Sequence, residues 1–441
     1  MPKRVAVVGG GLAGLSAAVR LTAAGVPCTL FEKRPYLGGR VSSFPDPQTG
    51  WVLDNGPHLL VGAYQATRRF LQKIGSADKI HFQDNLQVLY FDVKRGWGGL
   101  KALAIPAPFH LLGALARFRF LTPAERLAVL KGLWALRKMP ESPSLDQISL
   151  ADWLTAHGQP EGSRRFFWEV LALAMFNAAS ADISLLNFHR VLHKAFFGEK
   201  KNARLGWATE PFDTVFGGAA ETFLTQNGSK IHKNEPIFQL KTENGHGTAL
   251  LGKSGRFSNF DQIVLALPPP QVAALLPPRL QTQIPLNGFR PSPIVTVHLF
   301  LKRRVFAAPF LSFVGGTAQW IFNLNVLRAS PLWEGYGYSA VVSGAEKEVV
   351  HRKTDLIAHI FRDLKQIEPQ LQESDLLHSR VVKERLGTYV VVPGGEARRP
   401  TAKTPLSNVF LAGGWTQTGL PDTIESAVLS GEHAAQAILE P

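Results

Sequence analysis

Hydrophobic and polar positions change period several times along this chain. Residues 5–8, Val-Ala-Val-Val, form an apolar run rich in β-branched side chains, the pattern of a strand buried on both faces. From there Leu12, Leu15, Ala18, Val19 and Ala23 recur at helical spacing, so a helix follows at once. A second strand is predicted at 28–31, ending at Glu32, and a helix over 64–74. From about 95 to 200 the pattern is mostly helical. Thr122, Pro123, Ala124 and Glu125 read as a capping box with proline at the first helical position. Leu127, Leu130, Leu133 and Trp134 then make one apolar stripe, and an aromatic-rich helix runs through Phe166, Phe167, Trp168, Leu171 and Met175. Strand-like runs return after Gly217 and Gly218, at 237–240, 249–251 and 263–267. Pro268, Pro269 and Pro270 stop the last of these. Runs at 294–300, 320–322 and 339–342 predict another sheet, and 346–367 a helix. The chain closes with a strand at 409–412, the pair Gly413 and Gly414, and a helix over 423–439.

The first turn carries the clearest chemistry. Gly9, Gly11 and Gly14 give G-x-G-x-x-G between a strand and a helix, with an acid at the end of the next strand. Gly9 would allow the tight turn, Gly11 the close approach of a pyrophosphate, and Gly14 helix–strand packing. The helix start, with Leu12 and Ala13, would face the phosphates, and Glu32 would accept hydrogen bonds from a ribose. The alternative is a glycine-rich turn that binds nothing. Lys33 follows Glu32, and Gly38, Gly39 and Arg40 come soon after. Two glycines expose backbone N–H groups to an anion, and Arg40 adds charge; the alternative is a surface turn. At the far end Gly413, Gly414 and the Ser430–Gly431 pair repeat a phosphate-cradle pattern, so the two ends are expected to share one domain.

The 441 residues allow two or three domains with substantial cores. Cys28 is the single cysteine, which excludes an intrachain disulfide and suits a reducing cytoplasm. With the first strand at residue 5, no leader peptide is expected. No uncharged apolar run reaches about 18 residues, so no transmembrane helix is expected. The longest, 102–116, is interrupted by Pro106, Pro108 and His110. The formal charge of +14 points to an anionic partner. Residues 94–138 hold nine Lys or Arg against Glu125 alone, interleaved with Trp97, Ile105, Phe109, Leu112, Phe118, Phe120 and Trp134. Apolar side chains beside cations suit a membrane surface. The alternative is an ordinary helical core with solvated cations. No nucleic-acid module is present, and no metal-ligand cluster is read.

The glycine fingerprint followed by Gly38-Gly39-Arg40 resembles the flavin amine oxidase and phytoene desaturase superfamily. DNGPHLLVGAY at 54–64 and AGGWTQTGLPDTIE at 412–425 resemble a narrower family, the hydroxysqualene dehydroxylases, also called squalene-associated FAD-dependent desaturases. Residues 168–177, Arg399 and Pro400 also fit. The resemblance implies an α/β fold with a discontinuous Rossmann-like FAD domain (1–90, 205–270 and 395–441). It implies a helical, membrane-facing subdomain at 95–204 and a mixed-sheet substrate domain at 271–394. It implies FAD as cofactor, a C30 isoprenoid substrate and reductive dehydroxylation of hydroxysqualene to squalene in hopanoid or carotenoid precursor synthesis. Hydride would come from reduced flavin N5. It further implies a peripheral place on the inner face of the cytoplasmic membrane, with upstream enzymes of the squalene pathway as further partners.

In this family the 38–40 loop lies along the FAD pyrophosphate and ribityl chain, and Gly56 and Pro57 sit beside the isoalloxazine. Ile237, Gly413, Gly414, Thr423 and Ile424 complete the implied cofactor set. Two positions depart from the family pattern. Gly414 stands where an Asp is usual, which puts a side-chain contact to the flavin in doubt. Asp422 stands where a small residue is frequent. Loss of hydroxide from an allylic alcohol calls for a proton donor, and His58, Tyr64 and Asp422 are the candidates. For Asp422 the favoured reading is a helix N-cap; for His58, a histidine satisfying backbone groups is the alternative. Asp54 reads as a brace of its own turn. A carotenoid desaturase, an amine oxidase and a non-enzymic prenyl carrier of the same fold stay open.

Overall fold

Val5–Val8 lies at the centre of a five-stranded parallel sheet, between Cys28–Phe31 and Gln262–Leu265. Lys230–His232 and Val409–Leu411 form its edges. In chain order the strands run 3-2-1-4-5, a doubly wound arrangement. This computed structural model describes residues 3–105, 109–328 and 335–440. Pro106 and Pro108 lie outside them, as do the side chains of Phe109 and His110. Side chains alternate across the sheet. Val5, Val7, Leu30 and Val264 pack against helices, while Ala6, Val8, Ile263 and Leu265 pack against Leu240 and Leu250 of a three-stranded meander. Burial on both faces is why these strands read as unbroken apolar runs.

The helices Leu12–Ala23 and Ile424–Leu439 cross in contact. A Cβ at Gly431 would stand 2.2 Å from the Ala13 carbonyl oxygen and 2.7 Å from Ser16 Cβ. Ser16 Oγ donates to the Val428 carbonyl at 2.7 Å across the same crossing. The Ser430–Gly431 pair is therefore not a phosphate cradle. Gly431 lets two helices touch, and Ser430 Oγ accepts the Gly413 amide at 2.8 Å.

A second, seven-stranded mixed sheet runs in the order Leu376–Val390, Arg290–Leu301, Tyr336–Val342, Trp320–Asn323, Phe310–Val314, Gln87–Asp92, Gly96–Lys101. Only the pairing of Phe310–Val314 with Gln87–Asp92 is parallel. The helix Lys353–Ile367 covers one face through Leu356, Ile360 and Leu364. The expected boundary between residues 90 and 95 is corrected here. It cuts a hairpin, Gln87–Asp92 with Gly96–Lys101, whose backbone hydrogen bonds belong to this sheet.

The helical portion includes Phe109–Ala116, Pro123–Lys138, Glu169–Phe176 and Leu185–Ala195. The capping box forms: Thr122 Oγ1 accepts the Glu125 amide at 3.3 Å, and Glu125 Oε2 accepts the Thr122 amide at 2.8 Å. Of the aromatic residues expected at a membrane, Phe118 and Phe120 are instead buried, packed on Tyr90 and Phe166. No helix among the described residues is long and apolar enough to cross a membrane.

Gly431→Val should force the first and last helices apart. Overpacking costs about 1–3 kcal/mol, more than the roughly 0.3 kcal/mol gained in helix propensity. A lowered thermal midpoint in calorimetry is the expected result; an unchanged one would show that the crossing can relax.

Candidate functional site

The turn after Val5–Val8 is built from main chain meeting main chain. Gly9 has φ +107°, and a Cβ there would stand 2.3 Å from the Ala266 carbonyl oxygen. At Gly14 a Cβ would stand 1.9 Å from the Gly9 oxygen. Gly11 differs, because its Cβ would meet nothing nearer than Gly39 Cα at 4.0 Å. It faces a cavity, as do Leu12 and Ala13 at a helix start that no side chain caps. Glu32, buried, accepts the Gly10 amide at 2.7 Å and the Arg34 amide at 2.9 Å. A carboxylate has about four lone-pair positions, so capacity for a ligand hydroxyl remains. The second glycine loop is bonded onto the first: the Gly38 amide donates to the Gly10 carbonyl at 2.8 Å.

The cavity of about 1190 Å³ brings together nearly all the residues singled out in the sequence. Gly9, Gly11, Glu32, Lys33, Gly38, Gly39 and Arg40 line one part. Gly56, Pro57, His58, Tyr64, Ile237, Gly413, Gly414, Asp422, Thr423 and Ile424 line the adjoining part. Gly14 does not reach it and serves in helix–strand packing. Beyond lies an apolar chamber. Its walls come from Leu111, Leu115, Leu130, Leu133 and Phe167 of the helical portion, and from Trp320 and Phe322 of the seven-stranded sheet.

Three expectations about polar residues resolve geometrically. Asp422 is not the cap of the last helix; Thr423 is, accepting the Ser426 amide at 3.3 Å. The Asp422 carboxylate points away from that helix start and takes Arg40 Nη1 at 2.9 Å and Nη2 at 3.3 Å, with the Tyr389 amide at 3.0 Å. Asp54 braces more than its own turn. It accepts Ser43 Oγ at 2.7 Å and the Phe212 amide at 3.0 Å, and pairs with Arg328. His58 packs on Phe212 with ring centroids 5.4 Å apart, and its buried Nδ1 has no partner among the described residues.

Burial sets the protonation of this region. It pulls the His58 imidazole below its ordinary value, against a backbone hydrogen bond to Gly56 and the charge of Asp54, so the ring is neutral at pH 7. Burial, with the nearby Glu425 charge, pushes the Tyr64 hydroxyl up to about 12. Tyr389, which the sequence did not flag, is likewise pushed by burial up to about 12, and its hydroxyl is buried without a partner among the described residues. Arg399 was noted only within the family pattern. Its buried guanidinium donates to the carbonyls of Gly414, Leu420 and Trp415 and to Glu396, holding the 413–420 loop. Nothing local in sequence marks either residue's place.

These features fit a flavin dinucleotide. Gly11 leaves room where a side chain would intrude, the uncapped helix start at Leu12 and Ala13 lines the cavity, and Glu32 keeps lone pairs for a ligand hydroxyl. Among the described residues no cluster could hold a metal ion.

The comparisons agree with the geometry. A family described as flavin containing amine oxidoreductase matches residues 12–439. The hydroxysqualene dehydroxylase of Zymomonas mobilis is 26% identical over 446 residues, covering 98% of each chain. The zeta-carotene desaturase of Synechocystis sp. is also 26% identical, covering 99% of this chain and 97% of its own. The crystal structure of an oxidoreductase from Methanosarcina mazei has a TM-score of 0.75 at 17% identity, covering 99% of this chain and 100% of that one, a likeness of fold. The match runs from the first turn of the first helix to the end of the last one and takes in the cavity lining from Leu12 onward. The chain therefore belongs to the flavin containing amine oxidoreductase family, and is an FAD-dependent oxidoreductase.

Proposed function

We propose that this enzyme removes the hydroxyl of hydroxysqualene and replaces it with hydrogen, giving squalene and water. The observation that carries the reading is the apolar chamber opening from the nucleotide cradle. A C30 isoprenoid alcohol has a single polar handle and fits walls of Leu, Phe and Trp. Relatives named hydroxysqualene dehydroxylase at 26–28% identity over nearly the full chain support it. FAD, when bound and reduced, supplies the hydride.

The protein's part is to hold the substrate, keep water out and move one proton. The Leu and Phe walls orient the chain. Gly56, Pro57 and His58 border the junction between cradle and chamber, where the departing hydroxyl needs its proton. We assign that donation to His58. Since its pKa is held below the ordinary value, the acid form grows only as pH falls. A second reading, desaturation of a polyene, is favoured by zeta-carotene and phytoene desaturases of similar identity. A prenyl carrier is disfavoured by the bonded glycine loops and the buried Glu32.

We also place one face of the helical portion on an anionic lipid surface. Leu127, Lys131, Trp134 and Lys138 share a face at i, i+4, i+7 and i+11, with Leu127 53% and Trp134 61% exposed. Leu130 and Leu133 of the same helix line the chamber, and exposed Leu112 lines it from the preceding helix. The chamber thus opens beside the basic, apolar face. Glu125, the one acid of 94–138, is engaged in the capping box.

Reduced enzyme mixed anaerobically with hydroxysqualene should return to oxidised flavin as squalene appears, one for one. If instead the oxidised enzyme is reduced by a polyene that gains a double bond, and the reduced enzyme gives no squalene from hydroxysqualene, the desaturase reading is selected. His58→Ala should lower the rate by about 10²–10⁴. In the wild type the rate should rise as pH falls through the depressed His58 pKa, and the variant should lose that rise. A profile unchanged by His58→Ala would pass the role to a tyrosine hydroxyl, read by Tyr64→Phe.

Changing Lys131, Arg137 and Lys138 to Glu removes three attractions of about 1 kcal/mol each and adds repulsion. Sedimentation with anionic vesicles should fall by orders of magnitude, and wild-type binding should weaken with salt. Equal binding of both proteins would leave this face as ordinary surface.

A further inference from the structure

The Arg40–Asp422 pair has a feature that neither the fold nor the proposed reaction requires. A Cβ at position 414 would stand 2.0 Å from Asp422 Oδ1 and 3.0 Å from its Cγ. The carboxylate therefore occupies the space that any side chain at 414 would need. Asp422 has 2% of its side chain exposed, yet it is bonded on all sides: to Arg40 Nη1, to Arg40 Nη2 and to the Tyr389 amide.

The guanidinium has five N–H donors in a fixed plane. Nη1 gives one to Asp422 and one to the Gly387 carbonyl at 2.7 Å. Nη2 gives one to Asp422. That leaves Nε–H and the second Nη2–H, which lie side by side on the adjacent edge. Neither bonds to a described residue. The Arg40 side chain is 37% exposed and lines the cavity. A two-donor edge of this kind matches two oxygens of a phosphate. Its direction is set before any ligand arrives, because the guanidinium is bonded to two chain segments at once, the strand Leu376–Val390 and the turn ahead of Ile424–Leu439.

We infer that Asp422 is a positioning residue for the bound flavin nucleotide: it aims the free edge of Arg40 into the cavity, and it can do so only because residue 414 is glycine. This rests on the FAD reading. The structure makes residues 414 and 422 steric complements, one notch holding one carboxylate.

A mutant cycle on the full-length enzyme tests this, reading the FAD dissociation constant from flavin fluorescence and apoprotein melting separately. Asp422→Asn, which keeps the shape and loses the charge, should weaken FAD binding roughly tenfold, as when the orienter of a charged contact is removed. In an Arg40→Met background the same change should cost nothing further. Asp422→Gly should lose affinity, and the double variant Gly414→Asp/Asp422→Gly should regain it by returning a carboxylate to the notch. Unchanged affinity in Asp422→Asn with lowered apoprotein melting would overturn the inference in favour of a plain cross-link. Full additivity with Arg40→Met would also overturn it, as would a folded double variant with no recovery. Wild-type protein that binds no FAD would instead remove the reading on which the inference rests.

Discussion

Main chain touching main chain is the constraint on which the rest of this molecule depends. Gly9 against Ala266, Gly14 against Gly9, and Gly431 against Ala13 are approaches closer than any side chain allows, and a backbone hydrogen bond joins Gly38 to Gly10. They tie the N-terminal turn to residues some thirty, two hundred and fifty and four hundred positions away. Side chains can adjust rotamers to absorb strain, and backbone crossings cannot. The separation of the elements around the nucleotide cradle is therefore set by the backbone, and the cavity keeps its shape through contacts outside its own walls.

Buried charges form a second set of ties. Asp54 with Arg328, Glu396 with Arg399, Asp422 with Arg40, and Glu425 with the amides of Ala66 and Thr67 each join segments far apart in the chain or fix a loop. Such pairs repay their desolvation only when geometry and extra hydrogen bonds are both good, and removing one partner costs far more than the pair contributes. Their placement fits that rule: Asp54, Asp422 and Glu425 also take backbone N–H groups, and Glu396 also takes the Asn187 side-chain amide and Arg190. They give the irregular loops around the cavity a definite position where no sheet or helix could supply one.

Desolvation then decides the chemistry inside. It holds His58 neutral and keeps Tyr64 and Tyr389 protonated. The charged pair beside the cradle, Arg40 with Asp422, is internally compensated. An interior whose buried charges are either paired or held by backbone amides suits an apolar substrate and a negatively charged cofactor, and it separates the two by position. Phosphate-seeking groups lie at the glycine loops, and hydrocarbon walls lie between the helical portion and the seven-stranded sheet.

Elements whose signal is local can be read directly from the chain. Val5–Val8, the three glycines, Glu32 and the Thr122–Glu125 capping box are legible because a short run of residues carries both the pattern and its physical cause. So is the convergence of the long motif stretches on one flavin site, through family resemblance. Other features required the tertiary structure. The hairpin at 87–101 looks like a domain boundary until its hydrogen bonds join a sheet formed two hundred residues later. Gly431 reads as a phosphate cradle until the first helix is laid against it. Phe118 and Phe120 read as membrane-facing until Tyr90 and Phe166 cover them. Asp422 reads as a helix cap until Arg40 arrives from the other end of the chain to take its carboxylate. In each case the deciding partner is distant in sequence, and no local pattern encodes which distant group will fill a notch, bond a carboxylate or cover a ring.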